Sequence, residues 1–436
     1  MAVAASGAMR WRAEELPAKT IAAALRPLHI LVAAPSWLFL LALAAMLLRP
    51  PDVRFYQIDR VAFGMLVVAV AARTTCLRGH PVVVEGASWP MAGLILLALI
   101  SVAGQPFEPE AWNLLASKFI VPFTLFHLAG LVFSKERYLR QFEIFAVFVL
   151  AYLSVTAIAF LGGLDWMIYP KFILDGSLGF HADRARGPFL QAVANGVSLN
   201  LLGVLGWHAY RRKRVRGAKM VVLLLSVPIA ILATMTRAVW LTFVGTVLAL
   251  IVLSKSRALL LVGTGVAATA ALAILLGPTE FGGTLNDRLQ ERGPVDYRAA
   301  VYAGGWEMFQ QRPWLGWGFH QMPAELPRHV RGYSEEFLYP HNTYLELLVE
   351  HGVVGLTLYL WLMWELWKLR RGRIPAGEDR GFLNAGFHRL WPVLLLVYWI
   401  NAAVVVMSYQ FVNGLLYAIA GMLAAQARRG EMACAC

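Results

Sequence analysis

The segment Pro340-His341-Asn342-Thr343-Tyr344-Leu345-Glu346 contains the histidine best placed for acid–base chemistry. Thr343 and Glu346 have the spacing of a capping box, which predicts that a helix begins here with His341 just ahead of it. A helix N-terminus carries partial positive charge and disfavours an imidazolium, so we expect His341 to stay neutral near pH 7 and to serve as a general base. The alternative is an interfacial histidine that only caps or packs.

Two arginines next to apolar runs are candidates for binding an anion. Arg237 lies in Thr234-Met235-Thr236-Arg237-Ala238-Val239-Trp240, and Arg186 precedes Pro188 at the start of another apolar run. A guanidinium at membrane depth is costly without a partner. One guanidinium group can donate two parallel hydrogen bonds to the oxygens of a phosphate. Such groups would stabilise the negative charge that develops on a departing diphosphate. The alternatives are a snorkelling side chain for Arg237, and loop solvation or an ion pair with Asp183 for Arg186.

Further candidates contribute to the same predicted site. Lys118, about two turns into an apolar run, is a third diphosphate-binding candidate, although its side chain could also snorkel to the interface. The candidates for substrate binding, for which packing is the default explanation, are Arg288, Tyr297, Arg298, Trp306 and Asn342. No Asp-x-Asp pair and no His/Cys cluster with ligand spacing occurs in these segments, so we expect neither a metal nor a cofactor.

The elements that position these residues are predicted to be membrane-spanning helices. Hydrophobic residues make up 59% of the 436-residue chain and charged residues only 15%, which no soluble core of this size accommodates. The sequence therefore predicts an all-α polytopic membrane protein with about twelve spans. The secure apolar runs are 28–48, 88–104, 112–133, 140–164, 188–210, 257–277 and 343–367, and the shorter ones are 61–75, 219–235, 238–253, 391–407 and 409–426.

The distribution of Lys and Arg predicts the orientation of these spans. When the spans are threaded alternately through the membrane, most basic residues fall on the side that also holds both termini, which we therefore assign to the cytoplasm. The division is 1–277 for spans 1–9, 278–342 for one long, partly helical periplasmic loop, and 343–436 for spans 10–12. An amphipathic helix over 295–311 is expected to lie at the membrane interface. Topology accounts for most of the formal charge of +13, so nucleic acid is not an expected partner.

Several stretches of the chain together resemble the O-antigen ligase and polymerase superfamily of bacterial envelope glycosyltransferases, over residues 180 to 360. The matching stretches are Arg186-Gly187-Pro188-Phe189 with Asn195, Thr236-Arg237-Ala238, Arg298 with Trp306, Pro313-Trp314-Leu315-Gly316-Trp317-Gly318, His341 to Glu346, and Glu350-His351-Gly352-Val353-Val354-Gly355. One departure is that the family's usual serine before the second arginine is Thr236 in this chain.

The resemblance implies an enzyme of C-type glycosyltransferase architecture in the bacterial inner membrane, with its site at the periplasmic face. It implies an undecaprenyl-diphosphate-linked O-antigen as donor and, for the ligase branch, a sugar hydroxyl of lipid A-core as acceptor. By position, His341 would deprotonate the acceptor, while Arg186 and Arg237 would hold the donor diphosphate. The implied mechanism is inverting and independent of metal.

Three other functions stay open on the sequence alone. An O-antigen polymerase would tend to have two long outer loops, and a protein O-oligosaccharyltransferase would usually have a longer C-terminal region. A secondary transporter would place its polar groups near the bilayer midplane, often in repeated halves. In this chain the candidate polar groups are predicted to gather at one face, which favours the ligase.

Overall fold

In the computed structural model, residues 35–49, 57–76, 84–179, 181–213, 217–254, 293–332 and 338–435 are described. Every regular element within these ranges is a helix, as the sequence predicts. The α-helices, numbered in chain order, are α1 Pro35–Leu47, α2 Ile58–Cys76, α3 Ser88–Ala103, α4 Pro109–Leu115, α5 Val121–Val132, α6 Glu136–Leu161, α7 Ala192–Arg211, α8 Ala218–Leu232, α9 Arg237–Ser254, α10 Gly293–Gln311, α11 Met322–Glu325, α12 Thr343–Lys368, α13 Ala385–Ala402 and α14 Gln410–Ala435.

Helices occur where the apolar runs predict them. Within the described ranges, three continuous helical stretches are long and apolar enough to cross a membrane by length and composition: Pro109–Val132, Glu136–Leu161 and Thr343–Arg371. The predicted run 257–277, residues 28–34 of the first run, and residues 278–292 and 333–337 of the predicted loop lie outside the described residues. The count of twelve spans and the periplasmic assignment of that loop therefore stay predictions.

The outer faces of several helices carry exposed apolar stripes. On α9, Leu241, Leu248 and Val252 are 72%, 58% and 74% exposed and recur at helical spacing. Ile144 and Phe148 form the same kind of stripe on α6. Soluble proteins rarely expose continuous apolar surface of this kind to water. These stripes are therefore suited to contact with lipid, in agreement with a membrane protein.

The helices pack so that two ends of the bundle can be distinguished. Helix α14 packs along α5, α7 packs against α6 and α8, and α12 packs against α3 and α10. At one end, Arg212 donates hydrogen bonds to Glu143 at 3.0 Å and to Glu136 at 2.8 Å. The N–H of Phe382 also donates to Glu136, at 3.1 Å. This end brings together the basic loops around residues 211–219 and 368–389, which the sequence assigns to the cytoplasm.

Helix α12 is broken at Gly352, and the aromatic loop 313–318 docks into the break. The backbone of Gly352 has φ 61° and ψ −162°, which is not helical and is readily adopted only by glycine. Four backbone hydrogen bonds join the loop to α12: Trp317 N–H to Val349 O (2.9 Å), Gly318 N–H to Glu350 O (2.9 Å), Val353 N–H to Pro313 O (2.8 Å) and Val354 N–H to Trp314 O (3.4 Å). The two glycine-rich motifs at 313–318 and 350–355 are therefore one structural unit, because each satisfies polar backbone groups of the other.

Candidate functional site

A cavity of about 440 Å³ lies at the other end of the bundle from the Arg212 network, where several helices begin. Helices α9, α10 and α12 all start at or next to it. It is lined by His181, Arg184, Met235, Thr236, Arg237, Ala238, Val295, Tyr297, Arg298 and His341. The cavity therefore joins four segments that are far apart in the sequence, and it contains three arginines and two histidines.

His341 is positioned by the start of α12, but not by the predicted capping box. The helix begins at Thr343, as predicted, and the N-cap is Asn342, whose Oδ1 accepts the N–H groups of Tyr344 (2.9 Å) and Leu345 (3.1 Å). The prediction of a capping box between Thr343 and Glu346 is wrong. Thr343 Oγ1 forms hydrogen bonds with Val405 O and Met407 N–H, and Glu346 pairs with Lys118. Asn342, predicted to bind substrate, thus has its side-chain oxygen occupied by the helix end.

The surroundings of His341 favour its neutral form. Burial lowers the pKa of His341 below the ordinary value, and electrostatic repulsion from Arg298 and, to a lesser extent, His181 lowers it further. Its ring contacts that of Tyr297 edge to face, with centroids 6.0 Å apart. The direction of this pKa shift agrees with the expectation that His341 stays neutral, and its largest cause is burial rather than a neighbouring charge.

Arg237 is the first residue of α9 and lines the cavity. The turn before it is held by Thr234 Oγ1 and Trp240 Nε1, which both donate to Ile231 O, at 2.7 and 3.0 Å. A helix N-terminus presents unpaired N–H groups and partial positive charge to the same space as the guanidinium. This end of α9 is thus suited to an anionic group.

Arg186 does not reach the cavity in this structure. Its side chain is 1% exposed, and its guanidinium donates to three backbone carbonyls, those of Ile173 (3.1 Å), Asp175 and Leu178. It therefore holds together the loop 173–178. This role differs from the predicted diphosphate contact, and also from the loop solvation or Asp183 pair considered as alternatives.

Arg184, two residues earlier, lines the cavity instead. Its loop is held against the turn before α9 because Ala185 N–H donates to Ala233 O at 3.0 Å. Asn195 Nδ2 donates to Ala185 O at 2.8 Å from the other side. The prediction from the sequence selected Arg186 and not Arg184, although both arginines precede the same apolar run. His181 was not predicted at all.

The remaining candidates divide between the cavity and other places. Tyr297 and Arg298 line the cavity, and their predicted contact with substrate stays a prediction. Trp306 is 51% exposed and packs on Phe309, away from the cavity lining. Lys118 is buried and paired with Glu346, so it neither snorkels nor lines the cavity. Arg288 lies outside the described residues.

Half of the six non-glycine residues with positive φ in the described part of the chain line the cavity. His181, Met235 and His341 have φ of 55°, 48° and 45°, in the left-handed region that residues with a side chain rarely adopt. All three line the cavity. Strained residues cluster at functional sites, where the surrounding structure maintains them. This concentration supports the cavity as the functional site.

One group of possible metal ligands occurs among the described residues, where the sequence predicts none. Side-chain ligand atoms of Glu108, Glu110 and His320 lie within 4.8 Å of one another. The two glutamates are exposed, and exposed acidic groups come together in many proteins without an ion. The three residues come from two distant segments, which is why a search for local ligand spacing did not find them.

Comparison with known proteins gives one family. No curated protein matches the chain. Residues 220–360, which include Arg237, Arg298 and His341 of the cavity, match the family model described as O-antigen ligase. This match supports membership of the chain in the O-antigen ligase superfamily.

Proposed function

We propose that the protein is an O-antigen ligase, which transfers a polysaccharide from undecaprenyl diphosphate to a sugar hydroxyl of lipid A-core. Members of the matched family are glycosyltransferase-like membrane enzymes. The observation that carries the proposal is the cavity itself, where a histidine with a lowered pKa faces three arginines and the start of α9. In this proposal the cavity opens at the periplasmic face of the inner membrane, opposite the basic loops.

The chemistry requires a base for the acceptor and a positive environment for the leaving group. The acceptor hydroxyl oxygen attacks the anomeric carbon of the donor and its proton passes to His341. The bond between that carbon and the phosphate oxygen breaks, which inverts the anomeric configuration and releases undecaprenyl diphosphate. Arg184, Arg237 and Arg298 stabilise the charge that develops on the diphosphate. In this assignment Arg184 takes the place that the resemblance gives to Arg186.

The test is complementation of a bacterial strain that makes O-antigen but lacks its own ligase. Wild-type protein should restore long chains on lipid A-core in a lipopolysaccharide gel, and His341→Ala should restore none while still accumulating in the membrane. His329→Ala is the matched control, because His329 lies in the loop after α11, outside the cavity lining. Attached chains in the His341→Ala strain would refute the base assignment.

The same gel separates ligation from polymerisation. Without ligation, long lipid-linked polymer accumulates and no chain reaches the core. If the missing step were polymerisation, the core would instead carry a single repeat unit, and the proposal would be wrong.

A further inference from the structure

Lys118 and Glu346 form a buried ion pair that the proposed chemistry does not use. Lys118 Nζ donates to Glu346 Oε2, and the two side chains are only 3% and 6% exposed. Neither residue lines the cavity. Removing two charges from water has a large desolvation penalty, so a buried ion pair contributes little to stability compared with an apolar pair of similar size. Its presence suggests a role in fixing geometry.

The pair holds the first turn of the helix that follows His341. Glu346 lies in that turn, five residues after His341. The same turn is fixed by the Asn342 cap and by Thr343, whose Oγ1 donates to Val405 O and accepts Met407 N–H, both at 2.9 Å. Three anchors, at Asn342, Thr343 and Glu346, therefore hold the first turn of α12 in its rotation.

Lys118 connects this turn to a different part of the molecule. It lies in a π-helical segment, Ala116–Ile120, between α4 and α5. Its Nζ is 5.7 Å from the centroid of the Phe319 ring, and Phe319 N–H donates to Ser101 Oγ on α3 at 2.7 Å. The ion pair thus links α12 to the α3–α5 region and to the segment that follows the docked loop.

We propose that Lys118 and Glu346 are positioning residues for His341, and that their ion pair sets the rotation of the first turn of α12 and hence the direction in which His341 faces the cavity. An apolar pair would tolerate a small rotation, whereas rotation of this pair would leave two charges buried apart. The inference rests on the proposed role of His341 as the base.

The test compares Lys118→Met, Glu346→Gln and the double variant Lys118→Met/Glu346→Leu in purified full-length protein. We expect each single variant to lower kcat of glycan transfer by about 100-fold, the effect of a misplacement of about 1 Å, with little change in KM for the donor. The double variant should unfold at a temperature close to that of the wild type but keep the low kcat. Its acid limb in the pH–rate profile should also move, since His341 sits in altered surroundings. A folded double variant with wild-type kcat and pH profile would overturn the proposal.

A matched control is available at the opposite end of the bundle. Arg212 and Glu143 form an ion pair that is just as buried, with side chains 5% and 3% exposed. The double variant Arg212→Met/Glu143→Leu should leave kcat unchanged, because this pair lies in the network at the end of the bundle opposite the start of α12. An equal loss of kcat in this control would show that any buried pair matters, and would refute a specific positioning role.

Hydrogen exchange separates this inference from the proposed function. Backbone amides of residues 342–347 should exchange faster in Lys118→Met than in the wild type, whether or not His341 is the base. If His341→Ala stayed active while Lys118→Met showed this faster exchange, the assignment of His341 as the base would be refuted. The anchoring of α12 by Lys118 would still stand. Unchanged exchange in Lys118→Met would refute the anchoring by itself.

Discussion

Arg184 and Arg186 lie two residues apart in one loop and have opposite surroundings. Arg184 lines the cavity, while Arg186 is buried among backbone carbonyls. Both would be interpreted from the sequence as cations before a span, and the resemblance favours Arg186. What separates them is the path of the loop 173–178, which wraps around one guanidinium and has no recognisable sequence pattern.

The two arginines should give different phenotypes when each is replaced by glutamine. Arg184→Gln should raise KM for the lipid diphosphate donor and leave the unfolding temperature unchanged, because it removes one charge from the cavity. Arg186→Gln should lower the free energy of unfolding by roughly 1–3 kcal/mol, since buried carbonyls lose their donors. Enzyme kinetics and thermal unfolding of the two variants side by side check this, and a stable Arg186→Gln with a raised KM would reverse our assignment.

The lowered pKa of His341 predicts the pH dependence of the reaction. A base must be deprotonated, so the acid limb of kcat/KM should lie below the ordinary histidine pKa of 6.5. Arg298 lowers this pKa, and its removal in Arg298→Gln should therefore move the acid limb to higher pH. A pH–rate profile of the two proteins measures the shift, and a limb that does not move would contradict the proximity of the two charges.

At the scale of elements, the break in α12 lets the helix form backbone hydrogen bonds with a loop, residues 313–318. The loop 313–318 supplies hydrogen bonds to backbone groups that an unbroken helix would satisfy internally. Because the loop continues into Phe319 beside Lys118, the break lies next to the anchors of the His341 turn. We therefore expect the His341 site to be well ordered only when the loop 313–318 is docked.

Gly352→Ala should release this loop. Alanine is strained at φ 61°, and its Cβ would collide with backbone atoms of Pro313 and Trp314. The expected loss is about 1–3 kcal/mol of stability, with faster proteolysis of the 313–318 segment. Gly245→Ala in α9 is the control, because no atom lies within 4 Å of the added Cβ and the helix tolerates it. Equal stability of the two variants would contradict the docking.

At the scale of the whole molecule, the two ends of the bundle contain different features. One end has the basic loops and the Arg212 network, and the other has the cavity and the helix starts around it. The positive-inside rule then predicts opposite exposure of the two ends across the membrane.

Cysteine labelling tests this orientation in a background where Cys76, Cys434 and Cys436 are replaced by serine. A membrane-impermeant maleimide should label Tyr339→Cys, next to the cavity, in cells whose outer membrane is permeable. It should label Lys213→Cys only after the inner membrane is opened. Labelling that switches between the two sides with substrate would favour a transporter instead.

The sequence predicted the features that depend on local pattern. Helices α3, α6 and α12 appear where apolar runs of spanning length predict them, and α12 starts at the expected residue. It did not predict the cap at Asn342, the burial of Lys118 against Glu346, or the different surroundings of Arg184 and Arg186. Each of these depends on contacts between residues far apart in the chain or on the path of a loop, for which helical periodicity provides no signal.

The docking of loop 313–318 into α12 is made by backbone atoms, while the side chains of Trp314 and Leu315 are 72% and 63% exposed. The number of residues in the loop should therefore be constrained more tightly than their identity. We expect relatives to vary at these two positions and to avoid insertions or deletions between Pro313 and Gly318. One residue more or less would put the two N–H groups and the two carbonyls of the loop that bond to α12 out of register with their partners.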